Sequence, residues 1–210
     1  MESDTSTPAR DGESSLSLKG ASLSEVAAEA SRALANAGIP VAVVGGSAVT
    51  LHAPDVYTSK DIDFAALRGT TRRAFAEAVA PLGFSASGRD FVHDDTPFTL
   101  DLVADTPYID RRPVTTFVTV KTPHGPVTVY KFEDAIADRI AAFLHWGDLE
   151  SLEIAERALR AQASKVRWAP VESALRQLDV SLPEAARRLD VALDRLKRAY
   201  RPRLRRKRGA

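Results

Sequence analysis

Residues 41–64, VAVVGGSAVTLHAPDVYTSKDIDF, decide how the rest of the chain is read. The apolar run Val41-Ala42-Val43-Val44 ends at Gly45-Gly46-Ser47, and a second extended piece carries Asp61-Ile62-Asp63-Phe64. Side chains alternate faces along a strand, so Asp61 and Asp63 are expected on one face, about 7 Å apart, with Ile62 buried behind them. Two carboxylates held that close call for a cation, and Mg²⁺ suits them because it takes one or two carboxylates together with phosphate oxygens and water. Gly-Gly-Ser reads as a strand-to-helix turn in which missing Cβ atoms admit another group to the backbone. Ser47 is then expected to cap the following helix and, with the exposed amides, to hold an anion such as a triphosphate.

The order apolar-Gly-Gly-Ser, thirteen residues, then Asp-apolar-Asp-apolar resembles the signature of the nucleotidyltransferase superfamily that includes polymerase-beta-like enzymes. More narrowly it resembles the minimal nucleotidyltransferases that act as toxins in abortive-infection and toxin–antitoxin systems. The resemblance implies an α+β fold: a mixed sheet with helices packed on it and a C-terminal helical bundle. It implies a Mg²⁺-dependent enzyme with room for two ions, an NTP substrate, and transfer of a nucleoside monophosphate to an acceptor hydroxyl on a tRNA 3′ end or a protein. It also implies an antitoxin partner. The third acid expected on a neighbouring strand matches Asp101, the one charge in PFTLDLV, where an unpaired carboxylate would be costly. Asp61, Asp63 and Asp101 are therefore the expected metal-binding and catalytic residues, and Asp105 is a weaker alternative to the third. Gly45, Gly46, Ser47 and Lys60 are assigned to the nucleotide. KFEDAIADRIAAF resembles the segment that follows the sheet in the toxin-type enzymes, and Arg139 matches a basic position there that is often Lys. A phosphate contact and a salt bridge compete as its role. Two other readings stand beside this one: a catalytically inactive RNA-binding or regulatory module, and an antibiotic-modifying enzyme.

The composition agrees with a globular chain. At 210 residues and 44% hydrophobic content it buries a substantial core. The absence of cysteine removes disulfides, Cys-based zinc sites and thiol nucleophiles. MESDTSTPARDGESSLS has no apolar core of an export signal and no run approaches eighteen apolar residues, so neither secretion nor a membrane span is expected and the cytoplasm is the expected compartment. The last fourteen residues carry eight Lys or Arg and no acid, so the net charge of +1 leaves −7 on residues 1–196. The tail is the candidate grip on nucleic-acid phosphates.

Taken in order, residues 1–19 lack periodicity and are expected to be disordered. Residues 20–131 form the expected catalytic domain, 132–199 a helical region, and 200–210 the basic tail. Leu23, Val26, Ala27, Ala30 and Leu34 recur at helical spacing, with Ser22 or Ser24 as cap and Gly38 as stop. A helix over 70–82 stops at Gly83, and two short strands turn at Ser87-Gly88. Strands at 97–103, 114–121 and 126–130 follow, the last two joined at residues 122–125 with His124 facing solvent. Helices begin at Phe132, Leu149, Ala169 and Pro183, and Trp146 and Trp168 are expected to pack inside.

Overall fold

The computed structural model describes residues 18–200. The residues expected to be disordered, apart from 18 and 19, and the basic tail beyond Tyr200 lie outside the described residues. Leu18 is already part of the core.

Helix α1, Leu23–Asn36, starts at a capping box: Ser22 and Glu25 each accept a hydrogen bond from the other's backbone amide. It buries Val26, Ala27, Ala30 and Leu34 on one stripe. Strand β1, Val41–Val43, is buried throughout. Helix α2, Gly45–His52, follows without a loop, and β2, Asp61–Ala66, returns antiparallel to β1. Ser22→Ala removes one half of the box and is expected to cost about 1 kcal/mol in urea unfolding.

Helix α3, Arg72–Val79, is capped by Thr71 and runs through a 3-10 turn to Gly83, whose φ of +96° ends it. Strands β3, Ser85–Ser87, and β4, Asp90–Val92, form a hairpin. Its turn residues are Gly88-Arg89, one position later than expected, because Ser87 pairs with Asp90. Strand β5, Thr99–Ala104, lies parallel to β2. Next comes a two-stranded ribbon absent from the sequence reading, β6 at Tyr108–Ile109 and β7 at Arg112–Pro113, too short to leave a periodic signal. Strands β8, Phe117–Thr122, and β9, Gly125–Tyr130, close the chain's β portion.

The result is an α+β fold with a seven-stranded mixed sheet in the order β3-β4-β5-β2-β1-β9-β8. Strand alternation sends Ile62, Phe64 and Leu100 into the core, where Phe75 of α3 stands 5.9 Å from Phe64 and 5.0 Å from Phe91 by ring centroids. The same alternation leaves Asp61, Asp63 and Asp101 together on the other face.

Helices α4 (Phe132–Trp146), α5 (Leu149–Gln162), α6 (Trp168–Leu175) and α7 (Pro183–Tyr200) form the C-terminal bundle. The β6–β7 ribbon ties this bundle to the sheet. Arg112 pairs with Asp134 at 2.6 Å, His145 meets Asp110 at 3.1 Å, and the Tyr130 hydroxyl donates to the Tyr108 carbonyl at 3.1 Å. Two side-chain expectations are corrected. Trp146 is 81% exposed, because Gly147 takes φ +69° and ends α4 one residue after it. His124 faces α1 instead of solvent, with Nε2 3.2 Å from Glu25 and Nδ1 3.3 Å from Glu29. No helix among the described residues is long and apolar enough to cross a membrane.

Candidate active site

The site is built where β1 hands over to α2. Gly45 has φ +63°, the left-handed region that glycine enters without strain, and this kink starts the helix immediately after the strand. A Cβ on Gly45 would lie 2.0 Å from Oδ2 of Asp63, so the missing methyl is the space the carboxylate occupies. Gly46 is less confined, its own missing Cβ facing Ser59 Oγ and a Tyr57 ring carbon at 3.3 Å. The first-turn amides of a helix have no intrahelical acceptor, and here they belong to Gly45, Gly46 and Ser47 beside that carboxylate.

Ser47 does not cap the helix as expected. Val44 occupies the cap position without a side-chain bond, and the helix has already begun at Gly45. The fully buried Ser47 hydroxyl instead donates to the Val44 carbonyl at 2.8 Å and accepts the Asp63 amide at 3.2 Å. It therefore fixes where β2 stands against α2. Ser47→Ala strips both bonds from a buried position and is expected to cost about 1–3 kcal/mol in ligand-free protein, read by urea unfolding.

The three acids stand in parallel register: Asp61 opposite Thr99, Asp63 opposite Asp101. Asp61 is exposed and accepts from Thr99 Oγ1 at 2.7 Å. Asp63 is half-buried, and burial pushes its carboxyl up to about 7; the Arg139 charge pulls it down, while Asp138, Asp61 and Asp101 push it further up. Asp101 is 6% exposed and held by two arginines, Arg89 at 3.1 Å and Arg72 at 3.9 Å. Asp105 lies beyond β5 and is exposed.

These donors fit magnesium by their chemistry: hard oxygens, with Asp63 carrying a desolvated charge that no described hydrogen bond relieves. The fit is carried by Asp61 and Asp63. No group of three His, Cys, Asp or Glu among the described residues is arranged to hold a metal by itself, and Asp101 is engaged by its arginines.

Arg139 lies close enough to Asp63 for its charge to act on it, but its guanidinium pairs with Asp138 at 2.8 Å and donates to Ser151 Oγ at 3.4 Å. Its Nε is buried without a partner among the described residues. Lys60 is exposed just before β2 and makes no ion pair with the three acids among the described residues; its carbonyl accepts the Thr99 amide at 3.1 Å. Asp148 caps α5, accepting from the Ser151 amide at 3.1 Å and the Ser151 hydroxyl at 2.7 Å. His93 is structural, bonding the Leu82 carbonyl at 3.0 Å and the Asp95 amide at 2.9 Å.

Sequence reading misses Asp138 and Arg89, and it puts Arg72 in solvent at the start of its helix, whereas the guanidinium stacks on Phe91 and reaches Asp101 at 3.9 Å. Asp138 follows Asp134 by four residues in an apolar helix, a signal that it shares that helix's polar face. Arg89 was hidden by the one-residue error in the hairpin turn. A cavity of about 370 Å³, bounded by residues including Leu51, Pro54, Phe98, Val120 and Lys121, contains none of the candidate residues.

No family model matches the sequence, and no curated protein matches it. Among solved structures, the chain is similar to an antigenic nucleotidyltransferase-like protein from Paracoccidioides brasiliensis, with a TM-score of 0.52 at 12% identity over 82% of this chain and 94% of that one. The solution structure of the antibiotic-resistance factor ANT(2'')-Ia aligns over 84% of this chain and 96% of its own, at 16% identity and a TM-score of 0.48.

Proposed function

We propose that this chain uses its nucleotidyltransferase fold to move a nucleoside monophosphate from an NTP to an acceptor hydroxyl, on a tRNA 3′ end or a protein, in the manner of a growth-arresting toxin. The observation that carries the reading is the seating of the Asp63 carboxylate in the space left by Gly45, with Asp101 as its register partner. A glycine in the left-handed region whose missing methyl accommodates an acid is hard to explain as scaffolding alone, because an acid buried without a partner destabilises the fold.

In this reading Asp61 and Asp63 would hold the magnesium, and Asp101 would join them once Arg89 swings away from it. The ion, when bound, would neutralise triphosphate charge and make the attacking hydroxyl more acidic. The amides of Gly45 and Gly46 at the head of α2 would bind phosphate oxygens, and Ser47 would keep that turn in step with Asp63. Arg139 would add positive charge on the α4 side. Asp101 would orient the acceptor hydroxyl and take its proton as the new O–Pα bond forms and the Pα–O–Pβ bond breaks, releasing pyrophosphate. Positioning and charge neutralisation account for most catalysis of this kind.

A second reading is favoured by one observation, the two arginines closed on Asp101. A nucleotide-binding module without turnover would tolerate that pairing. Incubating the full chain with labelled NTPs, Mg²⁺ and cell RNA or lysate separates the two. Label on RNA or protein supports transfer, and Mg²⁺-dependent NTP binding with no label transferred supports the module.

A further inference from the structure

Beyond the acids, the end of the site away from α2 is made of arginine. In the sheet order, α2 follows β1, Asp63 stands on β2, Asp101 on β5, and the β3–β4 hairpin flanks β5 on the far side. Arg89 sits in that hairpin's turn with its side chain 85% exposed and reaches Oδ2 of Asp101. Arg72, the first residue of α3, comes within 3.9 Å of Oδ1. Its guanidinium carbon lies 4.3 Å above the Phe91 ring, and Nη2 donates to the carbonyls of Gly88 at 3.0 Å and Asp90 at 3.3 Å. Arg72 is thus locked in place by stacking and by the turn it supports. Arg89 is not: a long, exposed side chain paired with one carboxylate gains little stability from the pairing.

We propose that Arg72 and Arg89 form the acceptor's phosphate-binding element, and that the acceptor is a polynucleotide whose terminal hydroxyl reaches Asp101 while its phosphodiester meets the two guanidiniums. The inference deepens the transferase reading and rests on it. The triphosphate is assigned to the α2 side of the acids, which leaves the hairpin side for the second substrate. Whatever enters there meets two cations, one rigid and one mobile. Guanidinium forks match phosphate oxygens in geometry as well as in charge. An aminoglycoside, being polycationic, finds no anionic partner in that pair. A polynucleotide supplies a hydroxyl and an adjacent phosphate together, and the body of the chain, at −7 over residues 1–196, offers little general attraction to it outside such a patch, the basic tail being shared by the parent and every variant compared below. Asp101 is the anion the arginines hold in the absence of the acceptor. An arriving phosphate meets the fixed Arg72, draws the mobile Arg89 away and leaves the carboxylate to the hydroxyl.

The test is fluorescence anisotropy of a 5′-labelled single-stranded RNA dodecamer with the full chain, in chelator and without NTP, so that it reads the arginine independently of turnover. Arg89→Ala is expected to weaken binding about 5- to 10-fold and to flatten the salt dependence by about one phosphate contact. Arg89→Lys is expected to fall between the two. Arg73→Ala, the neighbouring exposed arginine of α3 paired with Glu77 at 2.8 Å, is expected to bind as the parent does. Equal binding by Arg89→Ala and parent overturns the proposal, as does an equal loss in Arg73→Ala or displacement of the RNA by poly-glutamate as effective as by unlabelled RNA. The transfer assay then separates the two failures. Transfer to a cationic or neutral acceptor, with Arg89→Ala as active as the parent, ends the inference alone; binding through Arg89 with no transfer to any acceptor ends the transferase reading and the acceptor role with it.

Discussion

Asp63→Asn is expected to be inactive and, in metal-free solution at pH 8, more stable than the parent. Burial raises the Asp63 carboxyl to about 7 from the ordinary range near 3.8. Between those two values the folded chain holds a proton that the unfolded chain has lost, so stability falls as pH rises through that window. Above pH 7 the full penalty is present. A gap of about three pH units sets an upper bound on the order of 4 kcal/mol, and solvent around a half-buried group reduces it to about 2–3 kcal/mol. Asparagine fills nearly the same space without the charge and removes the penalty. Urea unfolding in chelator should show the variant ahead at pH 8 and the difference shrinking toward zero by pH 4. A parent as stable as the variant at pH 8 would remove the idea that Asp63 is held against its own solvation. Transfer activity should fall by about 10³-fold or more, since several kcal/mol of charge stabilisation depend on this group. Stability gained where activity is lost is the expected mark of a functional carboxylate.

That trade also explains why the site was partly legible in the sequence. The alternation Asp61-Ile62-Asp63-Phe64 fixes which side chains share a face whatever the rest of the sheet does, and a lone acid in PFTLDLV asks for a partner wherever that strand lies. The register that sets Asp63 opposite Asp101 was not legible, because it depends on how two strands separated by a helix and a hairpin are brought side by side. Helices α1, α4 and α5 carry long apolar stripes and were readable to within a residue. The ribbon at Tyr108–Pro113 consists of two two-residue strands, held by Asp110, Arg112 and the Tyr108 carbonyl through partners that are distant in sequence. Ser47 shows a third kind of limit. A serine after Gly-Gly at a helix start suggests a cap by local rules, but once the left-handed Gly45 moves the helix start forward, the hydroxyl falls inside the first turn and is buried against β2.

Gly45→Ala tests whether the turn and the acid are one device. At φ +63° an alanine is strained by roughly 1–2 kcal/mol before any contact is counted. Its methyl would then sit 2.0 Å from Oδ2, 3.0 Å from Cγ and 3.3 Å from Cβ of Asp63, so rotating the carboxylate tip alone does not clear it. The whole Asp63 side chain must swing out of line with Asp101, and transfer activity should fall nearly as far as in Asp63→Ala. Gly46→Ala, whose methyl meets Ser59 and Tyr57 at 3.3 Å without a positive φ, should cost less in both respects. The decisive measurement is a double-mutant cycle on stability. Removing the carboxylate in Asp63→Ala clears the space, so Gly45→Ala in that background should retain only its backbone strain and cost about 1–2 kcal/mol less than in the parent. Additive costs would mean that glycine is required by the turn alone, and that the position of Asp63 is set by Ser47 and the strand without it.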